Sequence, residues 1–272
     1  MRLSGLATLL LIVISSAVAH AQSTTTDWEI DATRSGKDDF VNAPIQSRQP
    51  ERKSSKQANA LLAVPGDLKL TYHDFLRQRQ TGITRLLPQG KYKGIVTVRG
   101  NGANYDFGSR SYGEFGDDIY LGADAFFNGP PGRAAFWAGS SGADFGFVVR
   151  LGDVSLDDVN LNREEARFLL NFAPPNNEQA AREQYRKNFF GVKAGGILYK
   201  SSALAEENTT CLLRSVRYNQ SDLLIAFRAI RREPDGSFVI LWKVLKKNPM
   251  PWLRGKAHQS GPGSISAPSM AR

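Results

Sequence analysis

The sequence has 272 residues, 41% of them hydrophobic and 22% charged, with a formal charge of +9 and one cysteine. This is the profile of a globular protein with polar tails, long enough for one large domain or two small ones. A single cysteine excludes an intrachain disulfide, and with only three histidines beside it a zinc or copper centre built on His/Cys clusters is not expected.

The chain opens with MRLSGLATLLLIVISSAVAHAQ, in which Arg2 gives a positive start, Leu6 to Val18 a short apolar run, and Ala19-His20-Ala21 an A-x-A site. This predicts a secretory signal peptide over residues 1–21 and a secreted or periplasmic mature protein beginning at Gln22. An uncleaved anchor is the alternative, because the run from Leu3 to Ala19 is only slightly short of the ~18 residues that cross a bilayer. No later stretch is long and apolar enough to span, so no transmembrane segment is expected after cleavage. Removing the signal takes Arg2 with it and brings the formal charge from +9 to +8, a balance that favours anionic surfaces.

Residues 22–60 are rich in Ser, Thr, Asp, Lys, Gln and Pro, with apolar residues scattered without period, and read as a disordered arm. Residues 255–272 read as a disordered tail for the same reason. Between them, 61–254 is expected to form a single globular domain.

The body opens with a helix. Thr71 and Asp74 have capping-box spacing and Leu70 and Phe75 stand at staple positions, so the helix is expected from Tyr72 to about Gln80, stopping at Gly82. KYKGIVTVRG reads as a strand, closed by a Gly100-Asn101-Gly102 turn. From Asn104 to Leu151 short apolar pieces are punctuated by glycine. In the last of them Phe145, Phe147, Val149 and Leu151 alternate with Gly146, Val148 and Arg150, a firm period of two.

A helical hairpin is expected over 162–190. Asn162 and Glu165 have capping-box spacing, and Ala166, Leu169 and Leu170 form a stripe that ends before Pro174-Pro175. The second helix, from Asn177 to Phe190, carries Ala181, Tyr185 and Phe189 on one face and the pairs Glu178/Arg182 and Glu183/Lys187, with Gly191 as its stop. Over 191–254 the pieces GILYK, TTCLLRSVRY, SDLLIAFRAIRRE and SFVILWKVLKK read as a meander, turned by Asn219-Gln220-Ser221 and Pro234-Asp235-Gly236. Both faces of 223–230 are apolar, which predicts a central strand covered on both sides.

The fold class is therefore α+β and β-rich: antiparallel β-meanders forming a sandwich- or barrel-like sheet, with a short N-terminal helix and a helical hairpin inserted between two strand regions. Helix plus strands occupy 61–161, the hairpin 162–190 and the antiparallel meander 191–254.

Little catalytic chemistry is encoded. Cys211 lacks an evident base and reads as a buried hydrophobe. A Ser-His-Asp triad would have to use His73 and lacks a G-x-S-x-G elbow. GNGANY lacks the third glycine and the following helix of a dinucleotide fingerprint, and no cofactor is expected. The weak catalytic candidates are Asp117 and Asp118, with Asp153, Asp157 and Asp158 as a second acidic group; paired acids could cleave a glycosidic bond or bind calcium. Neither spacing matches a calcium loop, no metal site is predicted, and Asp is also an ordinary turn residue.

Between Tyr105 and Phe147 lie 11 of the 27 aromatic rings in the chain. Phe107, Phe145 and Phe147 read as core. Tyr112 and Trp137, flanked by Gly and Ser, are the ligand-binding candidates, since an exposed ring with a polar tip stacks on a sugar and hydrogen-bonds it. Asn208 and Asn219 lie in N-x-S/T sequons.

The expectation is an exported, non-enzymatic β-rich protein, a binding or structural module of the cell envelope or secreted space, with polysaccharide or envelope components as the partner class and no nucleic acid. The alternatives are a carboxylate-dependent hydrolase of glycans and a basic scaffold for an acidic surface.

Overall fold

The computed structural model describes residues 56–92, 95–96, 99–113, 117–123, 133–139 and 142–254. The expected signal peptide, the expected arm up to residue 55 and the expected tail from residue 255 lie outside the described residues.

Three short helices lead in: α1 (Lys56–Leu62), α2 (Gly66–Thr71) and α3 (His73–Leu76). The ordered body starts inside the stretch expected as an arm, because Ala58 is buried against Leu87 and Val96. The expected helix from Tyr72 to Gln80 is also corrected. Helix begins at Gly66, is interrupted at Tyr72 and ends at Leu76. The Thr71 hydroxyl donates back to the Asp67 carbonyl at 2.9 Å instead of capping forward, and Leu70, 79% exposed, staples nothing.

Strand β1 (Thr81–Leu86) follows at once, where the sequence indicated only a helix stop at Gly82. The strand expected at KYKGIVTV is a turn where it is described, since the Tyr92 carbonyl accepts from the amides of Ile95 and Val96 at 3.0 and 2.9 Å. Lys93, Gly94, Thr97 and Val98 lie outside the described residues. A 3-10 turn over Arg99–Gly102 holds the expected Gly-Asn-Gly reversal, with Asn101 and Gly102 at positive φ.

The glycine-punctuated region supplies β2 (Asn104–Asp106), β3 (Ser111–Tyr112), β4 (Ile119–Ala123), β5 (Ala134–Ala138) and β6 (Phe145–Gly152). Helices α4 (Glu164–Asn171) and α5 (Glu178–Phe190) form the hairpin. After them come β7 (Val192–Ala194), β8 (Ile197–Tyr199), β9 (Ser202–Leu204), β10 (Thr209–Arg217), β11 (Ser221–Arg232) and β12 (Phe238–Lys247). One five-stranded sheet runs β1-β12-β11-β10-β6, a second runs β3-β2-β4-β5-β9, and β7-β8 is a separate ribbon. All pairings are antiparallel. The fold is thus α+β and β-rich, and because neither sheet closes on itself the barrel alternative falls away in favour of a sandwich.

Alternation along the strands builds two cores. Leu213, Ile225, Phe227 and Ile240 of the first sheet pack with Ile119, Leu121 and Phe136 of the second and with Phe107 just past β2. Phe136 meets Phe227 and Phe238 edge-on at 5.2 and 5.4 Å. The opposite face of the first sheet, with Phe145, Phe147, Leu212, Leu224 and Leu241, lies under Ala166 and Leu169 of α4 and Ala181 of α5. The central strand β11 is therefore covered on both sides, as its two apolar faces required. The sandwich is stitched along one margin, where Lys200 and Val148 exchange backbone bonds and the Ala138 amide donates to the Ser201 carbonyl at 2.8 Å. Asn208 and Asn219 are exposed at positive φ in the turns leading into β10 and β11.

The second helix of the hairpin matches its sequence signals: Asn177 accepts from the Ala180 amide at 2.8 Å, Gly191 takes φ 105°, and both ion pairs form. In the first, Arg163 rather than Asn162 stands at the N-cap. Asn177→Ala should cost about 1 kcal/mol, the usual worth of an N-cap side chain. Urea unfolding measures it, and an unchanged midpoint would show that the cap carries no stability. Among the described residues no helix is long and apolar enough to cross a membrane, which leaves strand-built crossings unaddressed.

Candidate functional site

Asp117 and Asp118 do not sit in a solvated turn. They precede β4 in the space between the sheets, with Asp118 fully buried and Asp117 8% exposed. Residues 215 and 217 share the inward parity of Cys211 and Leu213 on β10, so Ser215 and Arg217 point into that space. Arg217 pairs with Asp106 of β2 at 2.5 Å and lies 3.6 Å from Asp117. Asp118 accepts the Phe107 amide at 2.8 Å. Gly113 allows this approach, because a Cβ there would run into the Asp117 carboxylate.

Three carboxylates thus surround one guanidinium, and their environments differ. Burial raises Asp117 to about 7, with Asp106 and Asp118 adding repulsion and Arg217 opposing. Burial also raises Asp118 to about 6, with Asp106 adding to it, while Ser215, Arg217 and the Phe107 amide counter. Asp106 is half-buried, which pushes it up, yet the Ser109 amide and Arg217 hold it below the ordinary carboxylate value. One oxygen of Asp117 and one of Asp118 lack a hydrogen-bond donor, and the Ser215 hydroxyl faces Asp118 without forming a bond of normal geometry. Acids so perturbed mark a place to look for function, although structural clusters show the same shifts.

The ligand-binding candidates fall on opposite faces of the second sheet. Tyr112 lies across from Tyr105, and Tyr105 across from Ile119, which puts Tyr112 on the inward face. Trp137 lies across from Tyr120 on the outward face. The two rings cannot line one pocket, nor can Trp137 join Asp117. Tyr112 is half-buried and its hydroxyl is spent on β1: it donates to the Arg85 carbonyl at 2.7 Å and accepts from Thr84 at 2.9 Å. It ties the free margin of one sheet to that of the other. Trp137 is 8% exposed, stacked on Tyr120 at 6.0 Å and near Phe189 of α5 at 6.3 Å. Neither ring stands open as a stacking platform; glycine and serine neighbours made them look like loop residues, whereas cross-strand pairing covers them.

The remaining candidates are scattered. Asp153 pairs with Arg228 at 2.6 Å, while Asp157 and Asp158 sit in a 3-10 turn capped by Ser155. His73 is exposed beside Asp74, and burial pushes the Cys211 thiol up to about 12, which keeps it from acting as a thiolate. Among the described residues no three His, Cys, Asp or Glu side chains could hold a metal ion together.

A concavity that the sequence did not reveal lies on the helix side. Its volume is about 380 Å³, and its walls include Phe172, Pro174, Pro175, Pro249, Pro251 and Trp252. Trp252 is 62% exposed. The floor is a buried ion pair in which the Arg214 guanidinium grips both oxygens of Asp222 at 3.0 and 2.7 Å. Its remaining nitrogen donates to the carbonyls of Leu169 and Phe172 at the end of α4. Asn248 donates to Asp222 at 2.9 Å, and Asn176 adds an amide to the rim.

No family model matches the sequence, and no curated protein or solved structure is significantly similar to it. The geometry alone therefore argues for function. Trp252 gives no periodic signal of its own, because it stands just past the last strand beside Arg254 and Lys256. The signals that could have raised it were the Met-Pro-Trp sequence directly after a strand and the Pro174-Pro175 pair, both of which hold backbone in extended form against the body.

Proposed function

We propose that the mature chain is an exported, non-enzymatic binding module of the cell envelope or secreted space, and that it takes a neutral saccharide ring in the Trp252 cavity. The observation that carries this reading is an exposed indole on the rim of a cavity whose charged floor is neutralised internally. Its volume falls in the range of ligand sites, with mostly apolar walls and few polar groups. Asp222 neutralises the Arg214 charge, and four of the five guanidinium N–H donors go to Asp222 and two carbonyls, which leaves little to draw a ligand anion. A ring with an apolar face and hydroxyl edges suits the indole and prolyl faces, with Asn176 and Asn248 as amide partners. The signal-like leader supports the location.

The test is titration of the full mature chain with neutral oligosaccharides and envelope polysaccharide fragments, followed by tryptophan fluorescence and calorimetry. Trp252→Ala should weaken binding at least about tenfold, or ~1.4 kcal/mol. Equal affinity in the variant would remove the site, and no binding by the parent chain would remove the ligand class.

The raised carboxyls favour one other reading, a glycan hydrolase using Asp117 and Asp118. It requires turnover of a glycan that Asp117→Asn abolishes. Against it stands the engagement of both acids with Arg217 and the Phe107 amide between the sheets.

A further inference from the structure

The contact between the sheets at the β2 end of the sandwich carries more acid than base. Asp106 comes from β2, Asp117 and Asp118 from the segment before β4, and Arg217, the one cation paired with them among the described residues, from β10. Asp144, ahead of β6, faces the same guanidinium while accepting the Tyr218 amide at 2.8 Å. Gln220 accepts from Arg217 as well. With every carboxyl ionised, Asp106, Asp117 and Asp118 set three negative charges, and Asp144 a fourth, against one positive charge, where Asp118 is sealed from water and the side chains of Asp117 and Arg217 are 9% and 10% exposed. Two of their oxygens accept no hydrogen bond. A protonated carboxyl removes a charge and supplies a donor, so taking up two protons leaves Asp117 and Asp118 neutral beside the Asp106–Arg217 pair.

We propose that this cluster is a proton-operated latch between the two sheets, holding the β2 and β4 strands on β10 when Asp117 and Asp118 are protonated and loosening them when both are ionised. The latch acts at named points. Asp118 accepts the Phe107 amide through its side chain, a bond that favours the ionised form and that the repulsion must outweigh, and holds the Gly139 amide through its backbone carbonyl at 3.0 Å. Asp117 packs against Gly113 and Gly139. Like charges held close together titrate as a set, and once Asp106, Asp117 and Asp118 are all ionised their repulsion is relieved by moving them apart or letting water in.

The sign follows from where the protons are. Both carboxyls lie above the ordinary unfolded value of about 3.9, at about 7 for Asp117 and about 6 for Asp118. Between about pH 4 and pH 7 the folded chain holds more protons than the unfolded one, so the stabilisation they give is complete at acid pH and is lost as pH rises through 6 and 7. Asp106, held low by the Ser109 amide and Arg217, stays ionised across this window.

Amide hydrogen exchange on the full mature chain, corrected for intrinsic rates, tests the latch at about pH 5.5 and about pH 8. Protection of the Phe107, Gly113 and Gly139 amides should fall at least about tenfold at the higher pH, while Ile225 and Phe227 in β11 keep theirs. The double variant Asp117→Asn, Asp118→Asn has no proton to lose and should show the same protection at both values. Equal protection in the parent chain, or an equal fall in the variant, overturns the proposal. Should the double variant fail to fold, carboxyl titration of the parent chain by NMR decides. Asp117 titrating near the ordinary value of about 4 overturns the latch, and titration near neutrality together with the exchange result upholds it. None of these outcomes depends on the Trp252 cavity.

Discussion

Arg214→Ala is expected to lower the stability of the protein by about 3–5 kcal/mol, the cost of breaking a buried pair from one side. The side chains of Arg214 and Asp222 are 3% and 1% exposed, so the carboxylate left behind would have little contact with water. Asp222 would keep only the Asn248 amide beside its charge. Arg214 also supplies donors to the carbonyls of Leu169 and Phe172, which the end of α4 leaves without helical partners, and its planar group lies over the Phe172 ring at 5.5 Å. One substitution therefore strands a carboxylate and two carbonyls together. In a domain of this size the melting temperature should fall by about 10 °C. The double replacement Arg214→Met, Asp222→Leu should recover most of the loss, because an apolar pair of similar bulk removes both charges at once. A single variant within about 1 kcal/mol of the parent would show that the pair is solvated in solution.

Gly139→Ala should cost about 3 kcal/mol or more, at the upper end of what overpacking produces. Gly139 follows β5, and its amide donates to the Asp118 carbonyl. A methyl group at its Cα would overlap the Asp117 carbonyl oxygen. Backbone cannot rotate away as a side chain can, so the end of β5 and the Asp117-Asp118 segment must part. The methyl group should also release both carboxyls towards ordinary acidity, which separates this variant from a generic packing defect. Denaturant unfolding gives the first quantity and carboxyl titration the second. A variant as stable as the parent would mean that the two segments do not pack this closely.

The parts of the fold that could be read from the sequence share one property: their signals are local. In β6 the period of two runs long enough to fix the faces, in β11 a continuous apolar run announces a strand covered on both sides, and in α5 the cap, the ion pairs and the terminating glycine all lie within the helix or directly at its ends. The errors fall where a partner distant in sequence decides. TGITRL is too short and mixed to announce a strand, and it becomes β1 because β12 offers it an edge. Thr71 has the spacing of a forward cap, but a turn that began at Gly66 captures its hydroxyl first. The same holds for the sites. Asp117 and Asp118 were visible as adjacent acids, whereas Arg217, which gives them their chemistry, looked like one more charge at the end of a meander strand. Parity along a strand states that Tyr112 and Trp137 each have a face; only the pairing through β2, β4 and β5 shows that the faces are opposite and both covered.

The pairing of β1 with β12 sets an order on events. Thr81 lies across from Lys243 and Leu86 from Phe238, so the first strand of the domain finds its neighbour only when the last has been made available. A chain emerging from a ribosome or a translocation pore can assemble the β2–β5 strands and later the β10–β11 hairpin from nearby residues. Until residues 238–247 emerge, β1 has no ladder to join and β11 presents an open apolar edge, the kind that recruits other chains. Pairing across such a sequence separation is slow, and the interval before β12 docks is when an incomplete chain is most exposed to aggregation or to a holding chaperone.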